Sequence, residues 1–345
     1  MVKRKHLVIL VIALAIAFFF FFGYRHWHSA DAVANRGDLL SLIPADANAV
    51  AFVDLHDLRS SPFFAQLMSL APQPSLDNDY KQFVQATGFD YEHDLDCVAL
   101  ALNRQPQTSS IFAVAEGRFD RKKIEAYAAQ FGSLKTAEGG TLFAIPMSNG
   151  FNSKAYFAFL RDDRVVWTND SSYFFQRPLS GSPQEWRDHF SRVAGTPIFV
   201  VMRQDSVPVS VLAQAPGGFR SPQLATLLSQ LQWISISGKP EGNALRVVAD
   251  GESLTPATTH QLKDVLSGLV VLAQVGLSDA KTRQQLNPEL RQGYLDLLQS
   301  AEIDEIDRGT SKSVRVMFEV SPKLLQALQT SAPTPKPQTG NTKAK

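Results

Sequence analysis

The densest cluster of potential metal ligands is the segment Asp90–Asp96, which reads DYEHDLD. Its alternating carboxylates resemble the start of a calcium-binding loop, in which hard oxygen atoms surround the ion. Such a loop also requires glycine at its sixth position and glutamate at its twelfth, where this chain has Leu95 and Ala101. We therefore expect a solvated turn in which Asp94 or Asp96 accepts hydrogen bonds from backbone amides.

A second candidate is the histidine in Asp54-Leu55-His56-Asp57, at the end of a predicted strand. A histidine flanked by two carboxylates could act as a general base or as a metal ligand. The alternative is that the acidic residues cap the following helix and face water. The corresponding positions 203–205 in the second half of the chain contain no histidine, which favours the cap.

Two acids occupy equivalent places in the two halves of the chain. Glu116 and Asp250 each end a predicted strand and precede a glycine. Paired carboxylates can perform acid–base chemistry, but an acid in this position is more typical of a turn or a cap. His93, His189 and His260 have no partner at ligand spacing. We therefore predict no catalytic, cofactor-binding or metal-binding residue.

Common catalytic and nucleotide-binding motifs are missing from the sequence. It contains no GxxxxGK phosphate loop, no GxGxxG after a strand, no GxSxG elbow and no HExxH. Cys97 is the only cysteine, so no internal disulfide can form. It lies in the apolar run 97–102, which predicts a buried strand and an unreactive thiol. We expect no cofactor.

An uncharged apolar stretch, Leu7–Tyr24, follows the cations Lys3, Arg4 and Lys5. As a helix it would be roughly 27 Å long, enough for a thin bilayer, and the cations would stay on the cytoplasmic side. We predict that residues 1–24 form a cytoplasmic basic cap and a transmembrane signal-anchor. The rest would be exported, which places a single-pass protein in the inner membrane with its C-terminal domain on the periplasmic or extracellular side.

Two alternatives remain for this stretch. A cleaved signal peptide is one, because small residues lie at Ala30–Ala34, although the apolar run exceeds the usual 7–15 residues. A buried core helix is the other. Without the three N-terminal cations the chain has 31 basic and 33 acidic residues, a net charge of −2. This balance argues against nucleic acid as a partner.

The second half of the remaining chain echoes the first. A strand, a helix starting with Ser-Pro, a hairpin, an acid–glycine strand end and a long helix occur in this order twice. The paired segments are Val50–Asp54 with Ile198–Met202, Ser61-Pro62 with Ser221-Pro222, Cys97–Leu102 with Trp233–Gly238, Ile111–Gly117 with Leu245–Gly251, and the helices capped by Asp120 and Thr255. The helix after Thr255 has an apolar stripe of Leu262, Val265, Leu266, Leu269 and Val270, and Asn287-Pro288 predicts the start of a further helix. The alternative is that any chain of this class alternates strands and helices in this way.

The predicted fold class is α+β. We expect a linker at 25–38 and two repeated modules, at 39–190 and 191–330, each an antiparallel sheet with helices packed on one face. Residues 331–345 are rich in proline, threonine and lysine and predict a disordered tail.

The segment Leu42–Asp54, followed by Leu58–Pro62, resembles the opening of a family of uncharacterised bacterial envelope proteins. Thr87–Asp90, leading through Asp94–Asp96 into a strand, is similar to that family as well, and the resemblance spans Leu39–Val320. It implies an N-terminal anchor or signal and a duplicated α+β exported domain. It implies no functional residue, because the family has no established activity.

These observations predict a membrane-anchored extracytoplasmic binding or scaffold protein without catalytic activity. Its partners would be the lipid bilayer, through Leu7–Tyr24, and either an envelope protein or an apolar ligand held in an apolar groove between the modules. A polar cleft lined by converging histidines and carboxylates would argue against this hypothesis. The alternative is an exported hydrolase or metal-dependent enzyme that uses His56 with its neighbouring carboxylates, or the Asp90–Asp96 cluster.

Overall fold

The computed structural model describes residues 38–70, 78–104, 109–137, 140–146, 154–175, 183–204, 222–309 and 311–331. The predicted anchor at 1–24 lies outside these residues, as do the linker up to residue 37 and the predicted tail from residue 332. Within the described residues, no helix combines the length and the apolarity needed to cross a membrane.

The described strands form one antiparallel sheet. They are β1 (Ala49–Asp54), β2 (Leu95–Arg104), β3 (Ser109–Gly117), β4 (Ser133–Ala137), β5 (Gly140–Pro146), β6 (Lys154–Arg161), β7 (Arg164–Thr168), β8 (Ile198–Arg203), β9 (Trp233–Glu241), β10 (Ala244–Ser253), β11 (Glu302–Asp307) and β12 (Lys312–Val320). Their order across the sheet is β11-β12-β10-β9-β8-β1-β2-β3-β7-β6-β5-β4, and each neighbouring pair is antiparallel.

Helices connect these strands. They are α1 (Leu55–Arg59), α2 (Pro62–Leu70), α3 (Asn78–Thr87), α4 (Tyr91–Asp94), α5 (Arg121–Phe131), α6 (Ser172–Phe175), α7 (Gln184–Val193), α8 (Pro222–Leu228), α9 (Pro256–Ser278), α10 (Ala280–Gln285), α11 (Pro288–Gln299) and α12 (Pro322–Ser331). The predicted caps are confirmed at four of them, where the side chains of Asp54, Asp120, Thr255 and Asn287 accept backbone N–H groups of α1, α5, α9 and α11.

The α+β class is confirmed, but the strands form one sheet and not two. The strands β1 and β8 pair with each other, and Phe52 lies opposite Phe199 in the register. This pairing uses the edge that each half would otherwise expose, and exposed edges are prone to join other strands. The predicted module boundary between residues 190 and 191 falls inside α7.

The expected packing of helices on one face is also incomplete. Successive residues of a strand point to opposite faces, so Phe52 and Val53 define a front face and a back face. On the front, Phe52 and Phe199 belong to the largest core cluster, together with Trp186 and Phe190 of α7. On the back, Val53 packs with α1 and α2, and the hydrophobic clusters of α5, α8 and α9 lie on this face. Helices therefore cover both faces of the sheet.

The hairpins β2–β3 and β9–β10 are confirmed as predicted. The strands β4 and β5 were not predicted, because the short apolar run Leu142–Ile145 does not alternate with polar residues and cannot be told from a helical segment by periodicity. Their hairpin extends the sheet beyond β6 and leaves β4 as the edge strand on that side.

Candidate functional site

The residues around His56 form a helix cap. The Asp54 carboxylate is 2% exposed and accepts the backbone N–H of Asp57 at 2.7 Å. This bond satisfies a donor in the first turn of α1 that has no partner within the helix. The hypothesis that the acidic residues here cap the helix is thus confirmed for Asp54, and His56 is half-buried beside the cap.

The acidic segment forms the turn that the sequence predicts. Asp90 caps α4 by accepting the backbone N–H of Glu92 at 3.0 Å, and its own N–H donates to Asp94 at 2.9 Å. This segment leads directly into β2. The carboxylates of Asp90 and Asp94 are therefore engaged by the backbone, as expected of a turn.

Two arginines compensate the charge of this turn. Arg118 lies 3.5 Å from Asp94 and 3.6 Å from Asp96, and Arg59 lies 3.8 Å from Asp96. Arg59 also donates to the carbonyl oxygen of Leu95 at 2.5 Å. Burial raises the pKa of Asp96, and the two guanidinium groups oppose that rise. Among the described residues, no three histidine, cysteine or acidic side chains are grouped so that they could hold a metal ion.

Glu116 forms a buried ion pair on the front face. Arg164 lies opposite it in the β3–β7 register and donates Nε–H to the carboxylate at 2.7 Å. Arg161 donates to the same oxygen at 3.1 Å, and Arg164 also donates to Asp38 at 2.7 Å. Glu116 and Arg164 are each 4% exposed, so two arginines hold this carboxylate in the interior.

Asp250 has the same kind of partner in the second half. Arg315 lies opposite it in the β10–β12 register and donates two hydrogen bonds, at 2.9 and 3.0 Å. Arg308 adds a contact at 3.4 Å, and the hydrogen bond to Asp250 raises the pKa of Arg315. The sequence drew attention to both acids, but it did not indicate the arginines on the neighbouring strand.

A small polar cavity lies between α7 and the front face of the second half. Its volume is about 10 Å³, room for about one water molecule. Its lining residues are His189, Arg192, Trp233, Ser235, Asp250, Glu252, Arg308 and Ser313. The cavity is polar and has room for about one water molecule, so it is not the apolar groove expected between the modules.

His189 is the titratable group of most interest in this cavity. Its ring stacks on Trp233 with centroids 4.1 Å apart, and its Nδ1 lies 3.2 Å from Arg192 and 3.9 Å from Glu252. Burial, reinforced by the positive charge of Arg192, lowers the pKa of His189 to about 4. Burial works against ionisation of Glu252, but hydrogen bonding to Arg192 helps to lower its pKa. A neutral imidazole beside an arginine–carboxylate pair can hold a water, but the cavity has no room for a substrate.

Cys97 is buried in β2, as predicted. Burial, together with the negative charge of Glu116 opposite it, raises the pKa of its thiol. A thiol held in this protonated form is a poor nucleophile.

An exposed apolar surface lies on α9. Val271, Leu272 and Val275 are 57%, 68% and 63% exposed. With the exposed Gly268 they occupy positions three or four residues apart, so they lie along one side of the helix. We call these four residues the α9 stripe. The apolar periodicity predicted the buried side of this helix. It did not reveal the exposed side, because valine and leucine residues look the same in the sequence whether they are buried or exposed.

Comparison with known proteins finds distant similarity to solved structures. No protein-family model matches the sequence, and no curated protein matches it either. The structure resembles crystal form III of TP0453, with a TM-score of 0.46 and 9% identity over 85% of this chain and 98% of that one. Crystal form I of TP0453 gives 0.43 and 9% over 85% and 97%, and crystal form IV gives 0.42 and 10% over 88% and 100%. At this level of similarity the comparisons assign no family and no function.

Proposed function

We propose that this chain is a membrane-anchored extracytoplasmic binding or scaffold protein. The observation that carries the proposal is the α9 stripe, an apolar surface that nothing among the described residues covers. Contiguous exposed apolar surface of this kind marks sites of interaction with proteins or membranes. The segment Leu7–Tyr24 would hold the chain in the inner membrane, with the domain on the periplasmic or extracellular side.

The polar clusters support a structural role over an enzymatic one. Glu116, Asp250 and Glu252 are each paired with arginine, and Asp54 caps a helix. A catalytic carboxylate must meet a substrate, but these groups already have partners in the interior. Histidine and carboxylates do converge at His189, but around a volume of about one water.

The proposal includes a duplication of the exported part. Counted outward from the centre of the sheet, the strands run β1-β2-β3-β7-β6 on one side and β8-β9-β10-β12-β11 on the other. Strands at corresponding places in the sheet also follow one another in the same order along the chain. Thus β1, β2, β3, β6 and β7 correspond to β8, β9, β10, β11 and β12. The cross-strand pairs Glu116–Arg164 and Asp250–Arg315 fall at corresponding places of this arrangement. These features support an ancestral module that was copied and fused through its first strand.

A topology experiment tests the anchored form. In intact cells of a two-membrane bacterium, added protease should leave the full chain untouched, and in spheroplasts it should degrade the domain. A variant lacking residues 7–24 should stay in the cytoplasm and resist protease in both preparations. If protease degraded the domain only after the spheroplasts were lysed, the domain would lie in the cytoplasm, and this result would contradict the proposal. Metal analysis of the purified chain and a His56→Ala variant with unchanged behaviour would separate this function from the enzymatic alternative.

A further inference from the structure

The α9 stripe occupies the C-terminal half of the longest described helix. The core-facing side of α9 packs on the sheet through Leu262, Val265, Leu266 and Leu269. The stripe lies on the solvent side, where Gly268 and Gly276 have no atom within 4 Å of the position that a Cβ would occupy. The stripe is therefore a shallow, open surface and not a groove.

This surface carries no charge along its length. All residues from Val265 to Ser278 are uncharged, and the nearest charged residues along the chain are Asp264 before them and Asp279 after them. Fourteen helical residues extend about 21 Å. A ligand covering this length would meet only aliphatic side chains, glycine and small polar groups, so its contact with the stripe would not require any charge to lose water.

The composition of the stripe fits lipid better than protein. The centres of protein interfaces are built around tryptophan, tyrosine and arginine, which provide most of the binding energy. The stripe has none of these. Valine and leucine on the outer side of a helix suit the boundary between headgroups and acyl chains.

The position of the anchor brings the bilayer within reach. The described chain begins at Asp38, whose carboxylate is bound by Arg164 of β7. From β7 to β12, over which α9 packs, there are seven strand spacings, about 34 Å. The thirteen residues 25–37 can span at most about 43–47 Å. The connection therefore keeps the domain close to the membrane that holds the anchor.

We propose that the α9 stripe rests on the outer surface of the same bilayer that holds the anchor. This inference depends on the proposed function, because it requires Leu7–Tyr24 to span the membrane. The two contacts together would fix the orientation of the domain, with the back face of the second half toward lipid and the front face away from it. The contact is apolar, so it is independent of anionic lipid and of salt.

Three fluorescent labels in the full-length chain test the proposal. Phe20→Cys reports on the anchor, Leu272→Cys on the stripe, and Asp188→Cys is the control, an exposed position on α7 on the opposite face of the sheet. The native Cys97 is buried and its thiol pKa is raised, so it should not react with the label. Each labelled chain is reconstituted into phosphatidylcholine vesicles with and without lipids that carry a nitroxide quencher on the acyl chain.

We expect blue-shifted and quenched emission at positions 20 and 272, and neither effect at 188. The quenching at 272 should be the same in vesicles containing anionic lipid and at high salt. Quenching at 20 but not at 272 would overturn this inference and leave the anchored function standing. Failure of quenching at 20 would contradict the proposed function itself. A blue shift at 272 without quenching, with a disulfide between copies of the unlabelled Leu272→Cys chain under oxidising conditions, would show that a second chain and not lipid covers the stripe.

A second variant separates lipid contact from folding. Val271→Asp with Val275→Asp places two charges on the stripe without touching the core, since both residues are more than half exposed. We expect the label at 272 to lose its quenching by several-fold while the melting temperature stays within a few degrees. Full retention of quenching in this variant would also overturn the inference.

Discussion

The buried ion pairs show most clearly how single residues support this fold. An isolated carboxylate is costly to bury, and Glu116 is stable in the interior only because Arg164 and Arg161 surround it. The partners lie 48 and 45 residues away in the sequence. Strand register, and not sequence spacing, brings them together, which is why the sequence indicated the acids but not the arginines.

The first prediction concerns this pair. Replacing Arg164 by Met leaves Glu116 buried with less compensation, and we expect the free energy of unfolding to fall by about 3–5 kcal/mol. Adding Glu116→Gln should recover part of that loss, because the uncompensated charge is then removed. Urea unfolding of the full chain in mild detergent measures both effects. The control Lys122→Met, at an exposed site, should change stability by less than about 0.5 kcal/mol.

The second prediction concerns pH and His189. Its pKa is about 4 in the folded protein and near 6.5 when unfolded, so the unfolded chain binds more protons between these values. Stability should therefore decrease as the pH falls from about 6.5 to about 4, by on the order of 2 kcal/mol. His189→Phe keeps a ring against Trp233 but cannot titrate. If the pH dependence in this window is as steep in that variant as in the parent, the assignment to His189 is wrong.

At the scale of elements, the third prediction uses two helix glycines in opposite surroundings. Gly268 in α9 is open to solvent, whereas a Cβ at Gly293 in α11 would lie 3.0 Å from Leu324 of α12. Gly268→Ala should raise the free energy of unfolding by about 0.5–1 kcal/mol, because alanine favours the helix. Gly293→Ala should instead lower it, because α11 and α12 must move apart. Equal shifts in the same direction, measured by thermal unfolding, would contradict this description of the packing.

The same elements show what the sequence could reveal. The periodicity of Leu262, Val265, Leu266 and Leu269 located α9, and the caps at Thr255 and Asn287 located helix starts, because these signals are local. The β4–β5 hairpin has no comparable pattern and depends on pairing with β6. The stripe itself could not be recognised, since Val271 and Leu272 look like core residues until the packing shows which side of α9 is covered.

At the scale of the whole molecule, the joining of β1 to β8 decides how the two halves behave. Phe52 and Phe199 stack with ring centroids 5.1 Å apart at the centre of the sheet, and both are almost fully buried. The core cluster around them contains residues of both halves, including Val114 and Trp233. Neither half could keep this cluster if the other unfolded, so we expect the described domain to unfold as one unit.

The last prediction tests whether the domain unfolds as one unit, with two matched changes of a buried phenylalanine to alanine. Phe199 is in the shared core, whereas Phe143 packs on Phe157 far out in the first half. Each Phe→Ala change should cost about 3–5 kcal/mol. In a single cooperative unit, native-state hydrogen exchange should show equal losses of protection in the most protected amides of β2–β3 and of β9–β10, for either variant. If Phe143→Ala reduced protection in β2–β3 but left β9–β10 unchanged, the halves would be independent folding units. The pairing of β1 with β8 would then be a docking contact between two domains.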